Sequence, residues 1–353
     1  MPAPEHSYCR PDGRPLPHPE GVRVFWGPLP QFYDAKREAI ASIWLRQTKL
    51  RGVYHNQIFS RFSTDLARTW SEPRQMMYEP GASFDPEKPF EPEYLKNNPG
   101  YFGNNIIRHS NGTLIHVATS VNIPSDAPDP NPKGISVWSA PADARCIGSM
   151  CFIGQWDDQF NDFRWTAGKP VWVSRSISSR GLAEAEAAEL EDGRVLVVWR
   201  TSNVGLDPKE VPGHKFFSVS TDGGRTLDLP KPWTYDDGTA FFSPSSFHRM
   251  IRHGVTGRLY WIGNISPGPT RGNSPRYPLV IAEVDEKIPA IRRDTVTVID
   301  DRRRGDDARL QLSNFSLLEN REDHSLEIYL TRLGEDPSDF WGANAYKYTL
   351  QLK

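Results

Sequence analysis

One short pattern recurs along this chain and limits what it can become: a strand-like apolar run, a polar turn, and a second apolar run. In residues 181–202 the turn is Glu191-Asp192-Gly193, which suits a three-residue hairpin loop closed by a glycine in the left-handed region. Residues 106–117 repeat the pattern around Asn111-Gly112, and residues 249–262 repeat it again. Segments 315–318 and 326–330 give another copy with a longer polar turn, and 40–45 begins an earlier one. Further strands, such as 216–219 and 279–284, lie between the hairpins. A four-stranded unit repeated in this way buries its faces only against its own copies, which is the logic of a β-propeller. The expectation is an all-β, six-bladed β-propeller forming a single domain over 1–353. Residues 1–35 would be an N-terminal arm and closing strand, with 22–26 and 346–350 sharing the closing blade. Five or seven blades remain compatible with the loop lengths.

Two octapeptides strengthen the architecture. Ser63 to Trp70 and Ser220 to Leu227 both approximate S-x-D-x-G-x-T-W, the Asp-box turn, with Ala67 replacing glycine in one and Leu227 replacing tryptophan in the other. In such a turn the aspartate binds backbone N–H groups and the glycine takes a positive φ. These turns speak to architecture and not to catalysis. Composition agrees: 11% aromatic residues with 31 prolines and 27 glycines dispersed along the chain suit many short strands.

Other classes are disfavoured. A formal charge of −2 lacks the basic surplus of a nucleic-acid binder, and Arg302-Arg303-Arg304 is offset by Asp300, Asp301, Asp306 and Asp307. No apolar run is long enough to span a membrane. Cys9, Cys146 and Cys151 fit no zinc spacing and are read as reduced thiols, although Cys146 and Cys151 can close a small loop in an oxidising compartment. No metal and no cofactor is expected. The first residues lack a basic and apolar leader, so the expected location is cytoplasmic, or secreted if a leader was removed before residue 1.

Counting outward from the 191–193 turn places Glu184 opposite Arg200 at the open end of the hairpin. Such a pair serves an anionic-substrate site or is a plain cross-strand ion pair. Glu186 shares the strand face of Glu184, and sequence alone does not decide which of the two faces the site.

These residues resemble the sialidase superfamily of Asp-box propellers over roughly 35–350. The most specific part is Glu184, Glu189-Leu190, Asp192-Gly193-Arg194 and Arg200, which sit at the family's offsets. The resemblance implies that Arg200 and Arg276 bind a sugar carboxylate through planar donor forks, with Arg37 the sole candidate for the first arginine of that triad. It also implies a nucleophilic tyrosine near 311–317, where the chain has none, and an acid/base aspartate in loop 51–57, where it offers Tyr54 and His55. Glu184, His55 and Tyr54 are therefore the catalytic candidates. His248 and Arg249, from the loop leading into the 249–262 hairpin, are further pocket candidates, and Asn104 and Asn105 are candidates for sugar hydroxyls. The functional expectation is an exo-acting enzyme that cleaves a glycosidic bond at an acidic terminal sugar of a glycan. The alternatives are a uronate-directed lyase acting by β-elimination, and a non-catalytic glycan-binding propeller.

Overall fold

The computed structural model describes residues 21–127 and 145–352. It is an all-β propeller of five antiparallel sheets taken in chain order. The first sheet holds β1 (Val22–Asp34), β2 (Ala39–Leu50), β3 (Val53–Ser63) and β4 (Arg74–Gln75). After a short helix α1 (Pro92–Lys96) the second holds β5 (Ile106–Arg108), β6 (Leu114–Asn122), β7 (Cys146–Asp157) and β8 (Asp162–Ala167). The third holds β9 (Ala183–Glu189), β10 (Val195–Arg200), β11 (Lys215–Ser220) and β12 (Lys231–Pro232). The fourth holds β13 (Arg249–Arg252), β14 (Leu259–Asn264) and β15 (Leu279–Asp285), with β16 (Ala290–Ile291) and β17 (Thr297–Asp300) both pairing β15. The fifth holds β18 (Ser316–Glu319), β19 (Leu326–Thr331) and β20 (Ala345–Leu350).

The described residues form five sheets, which corrects the expected six to the lower count that the loop lengths had left open. The sixth blade was to come from the two ends of the chain, but Val22 to Asp34 pairs along β2 and Ala345 to Leu350 pairs with β19. The reason is local. Asp34 closes a tight turn by accepting from the Lys36 amide at 3.1 Å and from Arg37 at 2.8 Å. Closing so short a loop costs far less entropy than joining strands more than 300 residues apart. Arg37 is thereby consumed in this turn and does not reach the other end of the sheets.

Apolar layers hold successive sheets together. Val117, Cys151, Leu182, Ala185, Val197 and Trp199 fill the space between the second and third sheets. Trp233, Trp261, Val198 and Val280 do the same between the third and fourth. Cys146 and Cys151 are both buried, and Cys9 lies outside the described residues. The first-turn ends of the five sheets are laced by polar contacts. Arg108 pairs with Asp34 at 2.5 Å, and the Ser110 amide donates to Glu189 at 2.9 Å. Arg252 pairs with Glu286 at 2.7 Å and donates to the Glu189 carbonyl, while the Gly254 amide donates to Glu319 at 2.8 Å.

The two Asp-box turns superimpose in chemistry, both with the expected departures. Asp65 Oδ1 accepts from the Thr69 amide at 2.9 Å and Oδ2 from its hydroxyl at 2.6 Å; Asp222 repeats both distances with Thr226. Ala67 has φ 66° where the second turn has Gly224 at 91°. A Cβ at that φ is strained, so Ala67→Gly should gain about 0.5–1 kcal/mol after allowing for the freer unfolded chain, seen as a raised melting temperature. Asp222→Ala, which removes three hydrogen bonds, two from Thr226 and one from the Ser220 hydroxyl, should cost about 1–2 kcal/mol. Unchanged thermal unfolding in either variant would contradict this account of the turn.

Candidate functional site

The expected hairpin forms, with the Gly193 amide on the Leu190 carbonyl at 2.9 Å and Gly193 at φ 82°. Its far end departs from simple counting. Val198 faces Glu186, but Arg200 faces Ala183, so Glu184 and Ala185 together oppose Trp199 in a β-bulge. Glu184 sits at φ 43°, a conformation that a side-chain-bearing residue adopts only when its surroundings hold it there. The bulge separates the two glutamates. Glu184 Oε1 meets Arg200 Nη2 at 2.6 Å, whereas Glu186 is fully buried and accepts from Arg249 Nε at 3.0 Å and the Met250 amide at 3.2 Å.

Arg276 comes to the same place from the segment entering β15. Its Nη2 donates to the Ser245 carbonyl at 3.2 Å, and Arg200 Nη1 donates to that same oxygen at 3.4 Å. Arg276 Nη1 also donates to Gln311 Oε1 at 2.9 Å. Burial brings Arg276 down to about 10, helped by the charges of Arg200 and Arg180 and opposed by Glu184. Arg180 is lowered in turn by burial and by Arg200. The Nε atoms of Arg180, Arg200 and Arg276 are all buried without a hydrogen-bond partner among the described residues. Lys215, opposite Arg200 on β11, is fully buried and held well below its ordinary value by burial, then by Arg200. Tyr101 completes the cluster. Its phenol is pushed up to about 12 by burial first and then by the Glu184 charge, with Arg200 opposing.

Glu184, Arg200 and Arg276 are thus brought together, and the other candidates are engaged elsewhere. His248 is fully buried with Nε2 at 3.2 Å from the Val198 carbonyl, and burial keeps it neutral. Arg249 is taken by Glu186. Asn104 Nδ2 donates to the carbonyls of Glu184 and His248 at 3.1 and 3.2 Å, stapling the inner strands of three sheets. Asn105 exchanges two hydrogen bonds with the Ala187 backbone, at 2.7 and 3.0 Å. Both amides bond the frame through these groups, and Asn104 Oδ1 is buried without a partner among the described residues. His55 is tied to α1 through Nδ1 and the Leu95 carbonyl at 3.0 Å, and the Tyr54 ring lies under the Lys49 ammonium at 5.1 Å. Arg180, Tyr101 and Lys215 escaped the sequence reading. Arg180 immediately precedes the hairpin, Tyr101 immediately precedes Phe102-Gly103-Asn104, and Lys215 begins the strand after Arg200, so position relative to known strand ends was the available signal.

The fold and the cluster define the molecule as a β-propeller with Asp-box turns and an arginine-rich cluster at one end. No protein-family model matches the chain, and no curated protein matches it. Among solved structures it is similar to the NanB sialidase of Streptococcus pneumoniae, at 15% identity and TM-score 0.49, covering 94% of this chain and 42% of that one. A protein of unknown function from Dyadobacter fermentans is similar at 12% identity and TM-score 0.49, covering 94% and 88%. A PL25 ulvan lyase bound to a GlcA–Rha3S glycan is similar at 10% and 0.47, covering 92% and 70%. This chain therefore spans less than half of the pneumococcal enzyme. At these identities the chemistry has to be argued from the residues of this chain.

Burial raises Glu186 to about 7, above the ordinary carboxyl value of 4.5. The folded state therefore keeps this proton to higher pH than the unfolded chain, and the stability it contributes is complete below 4.5 and lost as pH rises through about 7. Glu186→Gln removes that term, so its melting temperature should fall less between mildly acidic and mildly alkaline buffer than that of the wild type. Equal falls in the two proteins would show that Glu186 does not titrate in this way.

Proposed function

We propose that this chain is a carbohydrate-active propeller that binds a carboxylate-bearing terminal sugar at Arg180, Arg200 and Arg276 and cleaves its glycosidic bond. The observation that carries the reading is a charge imbalance. Among the described residues the Glu184 carboxylate pairs with Arg200 and its charge also acts on Arg180 and Arg276, so three guanidinium groups share one carboxylate, each with a buried and unsatisfied Nε. Unpaired buried charge is costly, and an incoming carboxylate relieves it through paired N–H···O bonds. The resemblance of the Glu184–Arg200 hairpin to sialidases supports a sugar as the bearer of that carboxylate.

Tyr101 brings a hydroxyl to this cluster. Its phenol, pushed up to about 12 by burial and then by Glu184, stays protonated at neutral pH and so serves as a hydrogen-bond donor to the sugar, too weak an acid to be the main proton source. Elimination is the second reading, favoured by a specific feature. Among the described residues Glu184 is the one carboxylate seen to pair with a guanidinium of this cluster, whereas glycoside hydrolysis ordinarily uses two. In elimination the arginines neutralise the uronate and so acidify the neighbouring carbon. Lectin-like binding without turnover is the third outcome to be measured.

Digestion of acidic oligosaccharides followed by mass spectrometry separates the three. Products that gain water indicate hydrolysis, unsaturated products indicate elimination, and intact glycan that remains bound indicates a lectin. Arg200→Lys and Arg276→Lys should each lower affinity or kcat/KM by roughly ten- to a hundred-fold, since one charge-assisted hydrogen bond contributes about 1.5–3 kcal/mol. Equal handling of a substrate whose carboxylate is reduced to an alcohol would overturn the acidic-sugar reading.

A further inference from the structure

Lys215 is a fully buried lysine in a region already crowded with positive charge, and no carboxylate is bonded to its ammonium nitrogen among the described residues. Burial and then the repulsion of Arg200 both disfavour a charged ammonium there. Its hydrogen bonds explain what it does. Nζ donates to the Ser246 carbonyl at 2.5 Å, with the Pro244 carbonyl at 3.3 Å and Ser246 Oγ at 3.4 Å. These acceptors flank Ser245, whose own carbonyl receives Arg200 at 3.4 Å and Arg276 at 3.2 Å. The turn is pinned from its other side by the Ser245 amide on the Gly272 carbonyl at 2.8 Å.

We propose that Lys215 is a positioning residue that sets the spacing of Arg200 and Arg276, by clamping the 244–246 turn so that one carbonyl, that of Ser245, holds both guanidinium groups. The proposal rests on the acidic-sugar reading of the arginine site. Lys215 touches no ligand in it. It acts through the turn, and its place opposite Arg200 in the β10–β11 register ties the clamp to the strand that carries the first arginine. The consequence is selectivity. A fixed pair of guanidinium forks matches the flat carboxylate better than the tetrahedral sulfate, and a loosened pair loses that preference.

The test uses calorimetric binding of glucuronate, N-acetylneuraminate and glucose 6-sulfate to the full chain, with thermal unfolding measured alongside. Lys215→Met keeps the unbranched stem and removes every donor. It should weaken binding of the sugar acids about ten-fold or more and reduce the carboxylate-over-sulfate preference, because the clamp is lost while both arginines remain. Lys215→Gln, which retains N–H donors without the charge, should fall between Met and wild type, and it carries the same comparison if the Met variant does not fold. A merely structural lysine would lower the melting temperature and leave the carboxylate preference of folded protein intact, which overturns the proposal. If wild-type protein binds neither sugar acid, the acidic-sugar reading falls and the positioning role falls with it. If wild type binds and both variants bind with unchanged preference, only the positioning role falls.

Discussion

A strand with apolar neighbours on both faces has nowhere to put charge except its ends. β10 is the clearest case: Val195 through Trp199 are entirely buried, between the apolar layer shared with the second sheet and the layer shared with the fourth. Its charged groups are Arg194 at one end and Arg200 at the other. The same constraint acts on β14, so in this part of the molecule the strand middles are apolar and charge collects at the ends, with Glu186 on β9 a buried exception.

The two ends then resolve their charge differently. At the first-turn end, carboxylates and cations alternate between neighbouring sheets, as in Asp34 with Arg108 and Glu286 with Arg252, and the charges compensate. At the opposite end the cations outnumber the carboxylate, and backbone carbonyls take up the excess donors. Ser245 serves two arginines, and Pro244 and Ser246 serve Lys215. Carbonyl dipoles solvate a cation but do not neutralise it, so the imbalance persists and is available to an anionic ligand. The bulge at Glu184 belongs to the same design: it directs one glutamate to Arg200 and leaves the next in the interior.

Much of this was legible in local sequence. The Asp-box turns and the 191–193 hairpin depend on residues within a few positions of one another, and short-range chemistry decides them; the regular count put Glu184 opposite Arg200, whereas the bulge puts Ala183 there and Glu184 reaches Arg200 through its side chain. The Asp34 turn was equally local, but its polar residues were not read as a hairpin, and that omission produced the sixth blade. His248, Arg249, Asn104 and Asn105 stood at plausible strand entries, yet each is spent on another sheet: His248 on Val198, Arg249 on Glu186, and the asparagines on the backbone of β9.

Sequence by itself determined the repeating antiparallel unit, its turns and the residues at each strand end, because hydrogen bonding within a hairpin and alternation across a sheet act over short spans of chain. Only the tertiary structure decided which strand ends converge. Arg180, Arg200, Arg276, Lys215 and Tyr101 come from the third and fourth sheets and from the segments leading into the second and third, separated by as much as 175 residues between Tyr101 and Arg276. Their fields act on one another only because stacked apolar faces bring those ends together and exclude the water that would screen them.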